Sequence, residues 1–273
     1  MGVSLIIANR NNSRFLRECL ESALGQSLPF DEIIVVDDAS DDDSQEHLQA
    51  FASRESRIRI IFSTRRLGVA VARDTAIRAA RSSHLSTLDS DDFFWNPQKN
   101  EQEWRVICRD SGIRPVIAFS DVQRVAVDGK SLCALSALRQ IHEGAIFWPL
   151  LFRRGFIPRD FTFPRSMYFT AGGYDAKMPP YEDWDLKLRL SRMCDFRYTG
   201  VGGVAYRMNP SGLSAAPASE HLKTMWCVAR KNTAHMGWPR RAFARLGACV
   251  GIFWSLRGAV KAWVKRQVLR KGT

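Results

Sequence analysis

Four short apolar runs mark the first third of the chain, separated by stretches in which apolar residues recur at helical spacing. Residues 3–8, 33–36, 58–62 and 84–88 are rich in Val, Ile and Leu and end in polar loops. Their length and β-branched content predict strands buried on both faces. Between them, Phe15, Leu16, Cys19, Leu20 and Ala23 share one face of a helix over residues 13–25, with Ser13 as the expected cap. Residues 44–54 and 69–81 predict two further helices. Strand and helix alternate four times across short links, which predicts an α/β fold with a parallel sheet covered on both faces.

The pattern is less regular afterwards. A helix is expected over residues 97–110, strands over 116–121 and 123–127 with a turn at Asp128-Gly129, and a strand over 165–170. Residues 131–160 carry the breakers Pro149, Gly155 and Pro158. A helix is expected over 186–193, strand material interrupted by Gly200, Gly202 and Gly203 over 196–208, and a loop over 209–214. Residues 239–271 read as a helix weakened by Gly247, Gly251 and Gly258.

Ligands of such sheets bind beyond the carboxyl ends of the strands. Three polar clusters fall there: Asn9–Arg10, Asp37–Asp38 and Asp89-Ser90-Asp91-Asp92. They are expected to share one crevice. Three carboxylates in four positions repel one another unless a cation or solvent intervenes. Oxygen ligands at this density suit Mg²⁺ or Mn²⁺, which take one or two carboxylates and substrate phosphate oxygens; an acidic turn is the plain alternative. Six cysteines are scattered without a Cys-x-x-Cys pair, which argues against a zinc site or a disulfide framework and fits a reducing cytoplasm. The N-terminus shows no signal-peptide or myristoylation pattern, and no apolar stretch is long enough to span a bilayer.

The formal charge of +12 is placed unevenly: residues 221–273 hold twelve Lys or Arg and no Asp or Glu, while residues 1–220 are balanced. Such asymmetry points to a polyanionic partner. In residues 239–271, Arg257, Lys261 and Lys265 recur every four positions beside an apolar stripe with Trp254 and Trp263. Either this basic amphipathic helix lies in an anionic membrane surface, or it packs on the rest of the chain with a basic outer face.

The order of the motifs resembles the family 2 glycosyltransferases. The likeness is carried by Ser4-Leu5-Ile6-Ile7-Ala8-Asn9-Arg10-Asn11-Asn12, by Val35-Val36-Asp37-Asp38-Ala39-Ser40-Asp41, by Gly68-Val69-Ala70-Val71-Ala72-Arg73-Asp74-Thr75-Ala76, by Leu88-Asp89-Ser90-Asp91-Asp92 and by Glu182-Asp183-Trp184-Asp185. The opening loop departs from the family, which places an aromatic where this chain has Arg10; a guanidinium can also stack on a flat ring. The resemblance implies the GT-A fold, a Rossmann-like, mostly parallel mixed sheet. It divides the chain into a catalytic domain over 1–220 (nucleotide-binding half 1–100, acceptor-binding half 101–220) and a basic tail over 221–273.

It further implies an inverting, metal-dependent sugar transfer from a nucleoside-diphosphate donor, with UDP as the expected nucleotide, to a glycan or lipid-linked acceptor. Such a transfer serves cell-surface polysaccharide or glycolipid synthesis. Ala8, Asn9, Arg10, Asp38, Arg73, Asp89 and Ser90 would bind the nucleotide-sugar, with Asp38 on the base edge. Asp91, Asp89 and Asp92 would hold the metal. Asp183 would be the general base and Glu182 the second candidate. Trp184 would stack on the acceptor or else pack in the core. Asp38, Glu182 and Asp183 could otherwise be ordinary helix N-terminal acids. The expected location is the cytoplasm, peripheral to the inner face of the membrane. A nucleotidyltransferase would usually carry a Gly-rich loop after the first strand, which residues 9–13 lack. A nucleic-acid-binding protein would leave the acidic crevice unexplained, so no nucleic-acid partner is expected.

Overall fold

The computed structural model of the chain describes residues 2–110, 112–136, 139–155, 159–178, 181–209 and 217–270, with side chains described as far as Trp254. Strands β1 (Val3–Asn9), β2 (Glu32–Asp37), β3 (Ile58–Phe62) and β4 (His84–Asp89) pair in parallel in the order β3-β2-β1-β4. Helices α1 (Ser13–Leu24), α2 (Ser44–Ala52) and α3 (Val69–Ala79) connect them. All six residues of β2 are buried, and the buried face of α1 is Phe15, Leu16, Cys19, Leu20 and Ala23, as the apolar spacing predicts. Ser13 does not cap α1: Asn12 precedes the helix without a side-chain cap, and the Ser13 N–H donates to Asp42 Oδ2 at 2.9 Å.

Beyond β4 the sheet turns mixed. The short β5 (Phe93–Phe94) precedes α4 (Lys99–Arg109), which is followed by β6 (Val116–Val125), β7 (Ser131–Ala134), α5 (Phe147–Leu151) and β8 (Phe161–Pro164). Then come α6 (Arg165–Thr170), α7 (Glu182–Leu190) and β9 (Asp195–Arg207). The sheet continues from β4 through β8, β6 and β9 to β5, with β8 antiparallel to both β4 and β6.

Several expectations shift. β6 is one strand where two were read. Residues 165–170 form α6, not a strand; the strand lies four residues earlier, where Phe161 and Phe163 enter the core and Thr162 meets buried polar groups. α6 is fixed by tertiary bonds, the Arg165 N–H to Ser83 O and the Tyr168 hydroxyl to Asp74. α7 begins at Glu182, four residues earlier than read. β9 is continuous through its glycines, because a Cβ at Gly202 would collide with the Trp95 indole and one at Gly203 with Ser120. Pro158 and residues 210–214 lie outside the described residues.

A buried ion pair fastens this half of the sheet. Lys99 and Glu103 meet at 2.9 Å, both side chains fully buried. Lys99 also donates to Ser86 of β4, and Glu103 accepts from Ser120 of β6 and Thr162 of β8. Every polar atom of the pair thus reaches a different strand, the condition under which a buried pair is tolerated.

The C-terminal helices α8 (Ala218–Thr233) and α9 (Trp238–Arg270) join the same core: Met225, Val228, Ala229, Met236, Ala244, Ala248 and Ile252 cluster with Trp184 and Leu150. Gly247 and Gly251 do not merely weaken α9, because a Cβ at either would overlap Phe152 and force the helix off the domain. Leu246, Val250, Phe253 and Trp254 are exposed. The side chains of Arg257, Gly258, Lys261, Trp263 and Lys265 lie outside the described ones. No helix among the described residues is long and apolar enough to cross a membrane.

Candidate active site

The register of the parallel strands builds the crevice. Asn9 pairs with Asp37, and Ala8 pairs with Val36 on one side and Asp89 on the other, so the polar ends of β1, β2 and β4 lie side by side. Asn9 is buried and donates to Asp37 Oδ1 at 2.8 Å. Arg10 donates to the carbonyl oxygens of Asp38 and Ala39 at 2.6 and 2.8 Å, which fixes its guanidinium along this loop. Ala39 adopts a left-handed φ of 53°, rare for a residue with a side chain and common at ligand loops. Asp38 is buried and accepts the N–H groups of Leu67 and Gly68, holding the entrance to α3. A carboxylate has further lone pairs, so these bonds leave room for another donor.

Asp89, Asp91 and Asp92 converge, with one oxygen from each within 4.8 Å of the others. Their environments differ. Asp89 is clamped by Arg73 and Arg159; burial would raise its pKa, but the two guanidiniums hold it well below the usual carboxylate range. Asp91 is pushed up by burial and by Asp89, and accepts from Asn209 at 3.1 Å. Asp92 is fully buried and pushed far up by burial and by its neighbouring carboxylates, although Arg159 opposes this. Its Oδ1 accepts the Arg207 N–H at 2.7 Å, while Oδ2 is buried without a hydrogen-bond partner. Oδ2 meets Arg159 only as an ion pair at 3.5 Å; two acids held in their protonated direction and a buried oxygen without a hydrogen bond fit a hard divalent cation, which would favour the charged forms. Ser90 is buried and its hydroxyl accepts from Asn12 at 2.9 Å; it shapes the turn between the acids.

Arg73 reaches across the crevice to α7. One of its nitrogens holds Asp89 and another donates to Glu182 Oε1 at 2.8 Å, linking the acid cluster to the Glu-Asp pair. The two acids at the start of α7 diverge. Glu182 is buried; burial and the adjacent Asp183 raise its pKa against the pull of Arg73, and Oε2 has no hydrogen-bond partner. The Asp183 side chain is 38% exposed and pairs with Lys187 Nζ at 2.7 Å. Burial works against its charge, but Lys187, Arg73 and Arg159 prevail and hold it below its ordinary value. Trp184 does not face an acceptor. It is 2% exposed, packed in the core, and its indole N–H donates to Leu150 O at 2.9 Å, so its full surface is already used.

Arg159 and Asp160 were absent from the sequence reading. Asp160 is buried near Asp89 and is pushed up to about 6 by burial and by Asp89, against Arg159. Both residues immediately precede β8, which runs antiparallel to β4; the start of β8 therefore lies toward the end of β4. Arg159 also stacks on Tyr206 at 3.9 Å. Arg207 is buried, donating to Asp91 O, Val127 O and Glu18, and thus braces the acidic turn from behind. Lys187, four residues after Asp183 on the same helix face, was legible as spacing alone.

Comparison with known proteins agrees with this arrangement. Residues 4–112 match the sequence model of the family described as Glycosyl transferase family 2. The chondroitin synthase of Escherichia coli is 28% identical over 207 residues, covering 72% of this chain and 27% of that protein. The succinoglycan biosynthesis protein ExoO of Rhizobium meliloti (strain 1021) is 32% identical over 130 residues, covering 48% and 36%. The chain spans about a fifth to a half of the length of the curated relatives it matches. The crystal structure of S. aureus TarS 1–349 in complex with UDP-GlcNAc superposes with a TM-score of 0.70 at 14% identity, covering 93% of this chain and 73% of that one. That likeness supports a GT-A-type fold. Family match, motif order and fold agree: residues 4–112 are similar to the family 2 glycosyltransferases, on a GT-A-type fold.

Proposed function

We propose that the chain transfers a sugar, with inversion, from a UDP-linked donor to a glycan or lipid-linked acceptor in the assembly of a surface polysaccharide or glycolipid. The observation that carries this reading is the convergence of Asp89, Asp91 and Asp92 beside Arg73 and Arg159 at the strand ends. Solved TarS structures hold UDP and UDP-GlcNAc on a similar fold, which favours the same nucleotide here.

Asp91, Asp89 and Asp92 would hold Mg²⁺ or Mn²⁺. Such an ion, when bound, neutralises charge on a departing nucleoside diphosphate. Arg10, Asn9 and Ala8 border the nucleobase end, and Asp38 accepts from the base edge with its remaining lone pairs. Arg73 keeps Asp89 and Glu182 in register, so donor and acceptor sides are set by one side chain. Asp183 takes the proton from the acceptor hydroxyl at its carboxylate oxygen as that hydroxyl attacks. It stays ionised because Lys187 and the two arginines depress its pKa. Glu182, drawn toward Arg73, positions the site.

The same reading places the protein at the inner face of the cytoplasmic membrane, held by the outward apolar stripe of α9 and the basic residues of its last turns. The test is a panel of nucleotide sugars offered with Mn²⁺, with nucleotide release as the readout. Release from a UDP-sugar and from no sugar of another nucleotide supports the reading; release from none of them defeats it.

A further inference from the structure

Away from the crevice, the turn after α5 and one flank of α9 enclose a cavity of about 440 Å³. Arg139, Arg153 and Arg154 line it together with Phe152, Val250 and Trp254. No carboxylate is among its described lining residues. Arg153 has a left-handed φ of 51°, unfavourable for a residue with a side chain and typical of ligand clamps. Its guanidinium lies over Trp184 at 4.9 Å and over Tyr181 at 5.5 Å. Burial disfavours its charge; Tyr181 and Asp183 favour it, and Arg139 opposes it. An anion seated among the three arginines would offset both the burial and the mutual repulsion.

The lining residues meet two different surroundings. Val250 and Trp254 belong to its wall and also to the exposed stripe of α9 that includes Leu246 and Phe253. Arg153 adjoins Tyr181 and Trp184, the residues that flank the Glu182–Asp183 pair at the start of α7. A ligand that fits must therefore offer an anion to the arginines and an apolar part to the stripe.

We infer that this cavity seats the phosphate of a lipid-linked acceptor, held by Arg139, Arg153 and Arg154, with its hydrocarbon chain leaving past Val250 and Trp254. This names the acceptor class of the proposed transferase and rests on that reading. The sugar carried beyond the phosphate then lies on the side of Asp183.

Calorimetry on the full chain tests it with farnesyl phosphate, farnesol, inorganic phosphate and dihexanoyl phosphatidylglycerol, with UDP plus Mn²⁺ titrated in parallel. Farnesyl phosphate should bind at least tenfold tighter than any of the other three cavity probes. Arg139→Gln combined with Arg154→Gln, both at exposed positions, should weaken it at least tenfold and leave UDP affinity unchanged. Arg153→Gln should do the same if it folds, and the double variant decides if it does not. Equal binding of farnesol or of inorganic phosphate would overturn the inference in favour of a bare groove or a bare anion site. Equal binding of phosphatidylglycerol would make the cavity a membrane anchor. UDP binding without farnesyl phosphate binding defeats the inference and leaves the transferase reading intact; the reverse defeats the acceptor role with it.

Discussion

Asp183→Asn and Glu182→Gln separate two roles that the sequence leaves together. Asparagine keeps the shape of Asp183 and an acceptor for Lys187, but removes the basicity. A general base contributes a factor of about 10²–10⁴, equal to about 3–5 kcal/mol of barrier. The stability cost should be far smaller. An exposed i,i+4 pair is worth about 0.3–0.5 kcal/mol. The Lys187 side chain is only 3% exposed, which raises the loss to about 1–2 kcal/mol. Glu182→Gln has the opposite profile. Its side chain is 5% exposed and its partner Arg73 12% exposed, and breaking a buried pair costs about 3–5 kcal/mol when nothing replaces the lost partner. Arg73 retains Asp89, so the loss should fall at or below the lower end. Because the same guanidinium sets Asp89, donor KM should rise in Glu182→Gln and hold in Asp183→Asn. Steady-state nucleotide release at varied donor and acceptor, with urea melts of each variant, reads both effects. The pH profile adds a second readout: with Asp183 as base, the acid limb of kcat/KM should lie below its ordinary pKa of 3.8, because its carboxyl is held down. With Glu182 as base the limb should lie above 4.5, because its carboxyl is pushed up. The assignment is refuted if Asp183→Asn keeps turnover within threefold while Glu182→Gln loses it at unchanged donor KM.

Lys99→Met should cost about 3–5 kcal/mol in urea unfolding, since it strands the Glu103 carboxylate among three strands; a loss under 1 kcal/mol would show that the buried pair is dispensable. Glu32 accepts from the Arg81 N–H, Ser4 and Arg59, which overcome its burial and lower its pKa from 4.5. Its stabilisation is therefore complete above pH 4.5 and lost as pH falls through the depressed value, so the stability gap between wild type and Glu32→Gln should close on acidification. A gap constant from pH 7 to pH 2 would contradict this. Leu246→Asp with Phe253→Asp should reduce co-sedimentation with anionic liposomes at least tenfold without lowering the melting temperature, because both side chains point outward. Unchanged co-sedimentation would remove α9 as the membrane contact.

The half of the fold that could be read directly is the half in which local pattern and burial coincide. β1, β2 and most of β4 are buried on both faces and their connecting helices on one, so periodicity places them; β3, at the sheet edge, keeps only Ile58 buried, against the expected burial on both faces. Strand polarity alone brings Asn9, Asp37 and Asp89 together. The later half depends on contacts between distant residues. Four residues of β8 carry too little pattern to announce a strand, and α6 owes its start to bonds with Ser83 and Asp74. Arg159 and Asp160 stayed hidden because only the antiparallel sense of β8 carries them to the acid cluster. The position of Trp184 was undetermined for a similar reason: whether an indole faces a ligand or the core depends on α5, and its N–H finds Leu150 there. Gly247 and Gly251 read as helix weakness from sequence and are instead the surface that receives Phe152.

Titration of UDP into the protein with Mn²⁺ and then with excess chelator, in wild type and in Asp91→Asn, tests the transferase site most directly. Heat of binding with Mn²⁺, lost on chelation and weakened at least tenfold in a folded Asp91→Asn, is the expected result. Equal UDP affinity with and without the ion would contradict a metal–diphosphate site at Asp89, Asp91 and Asp92.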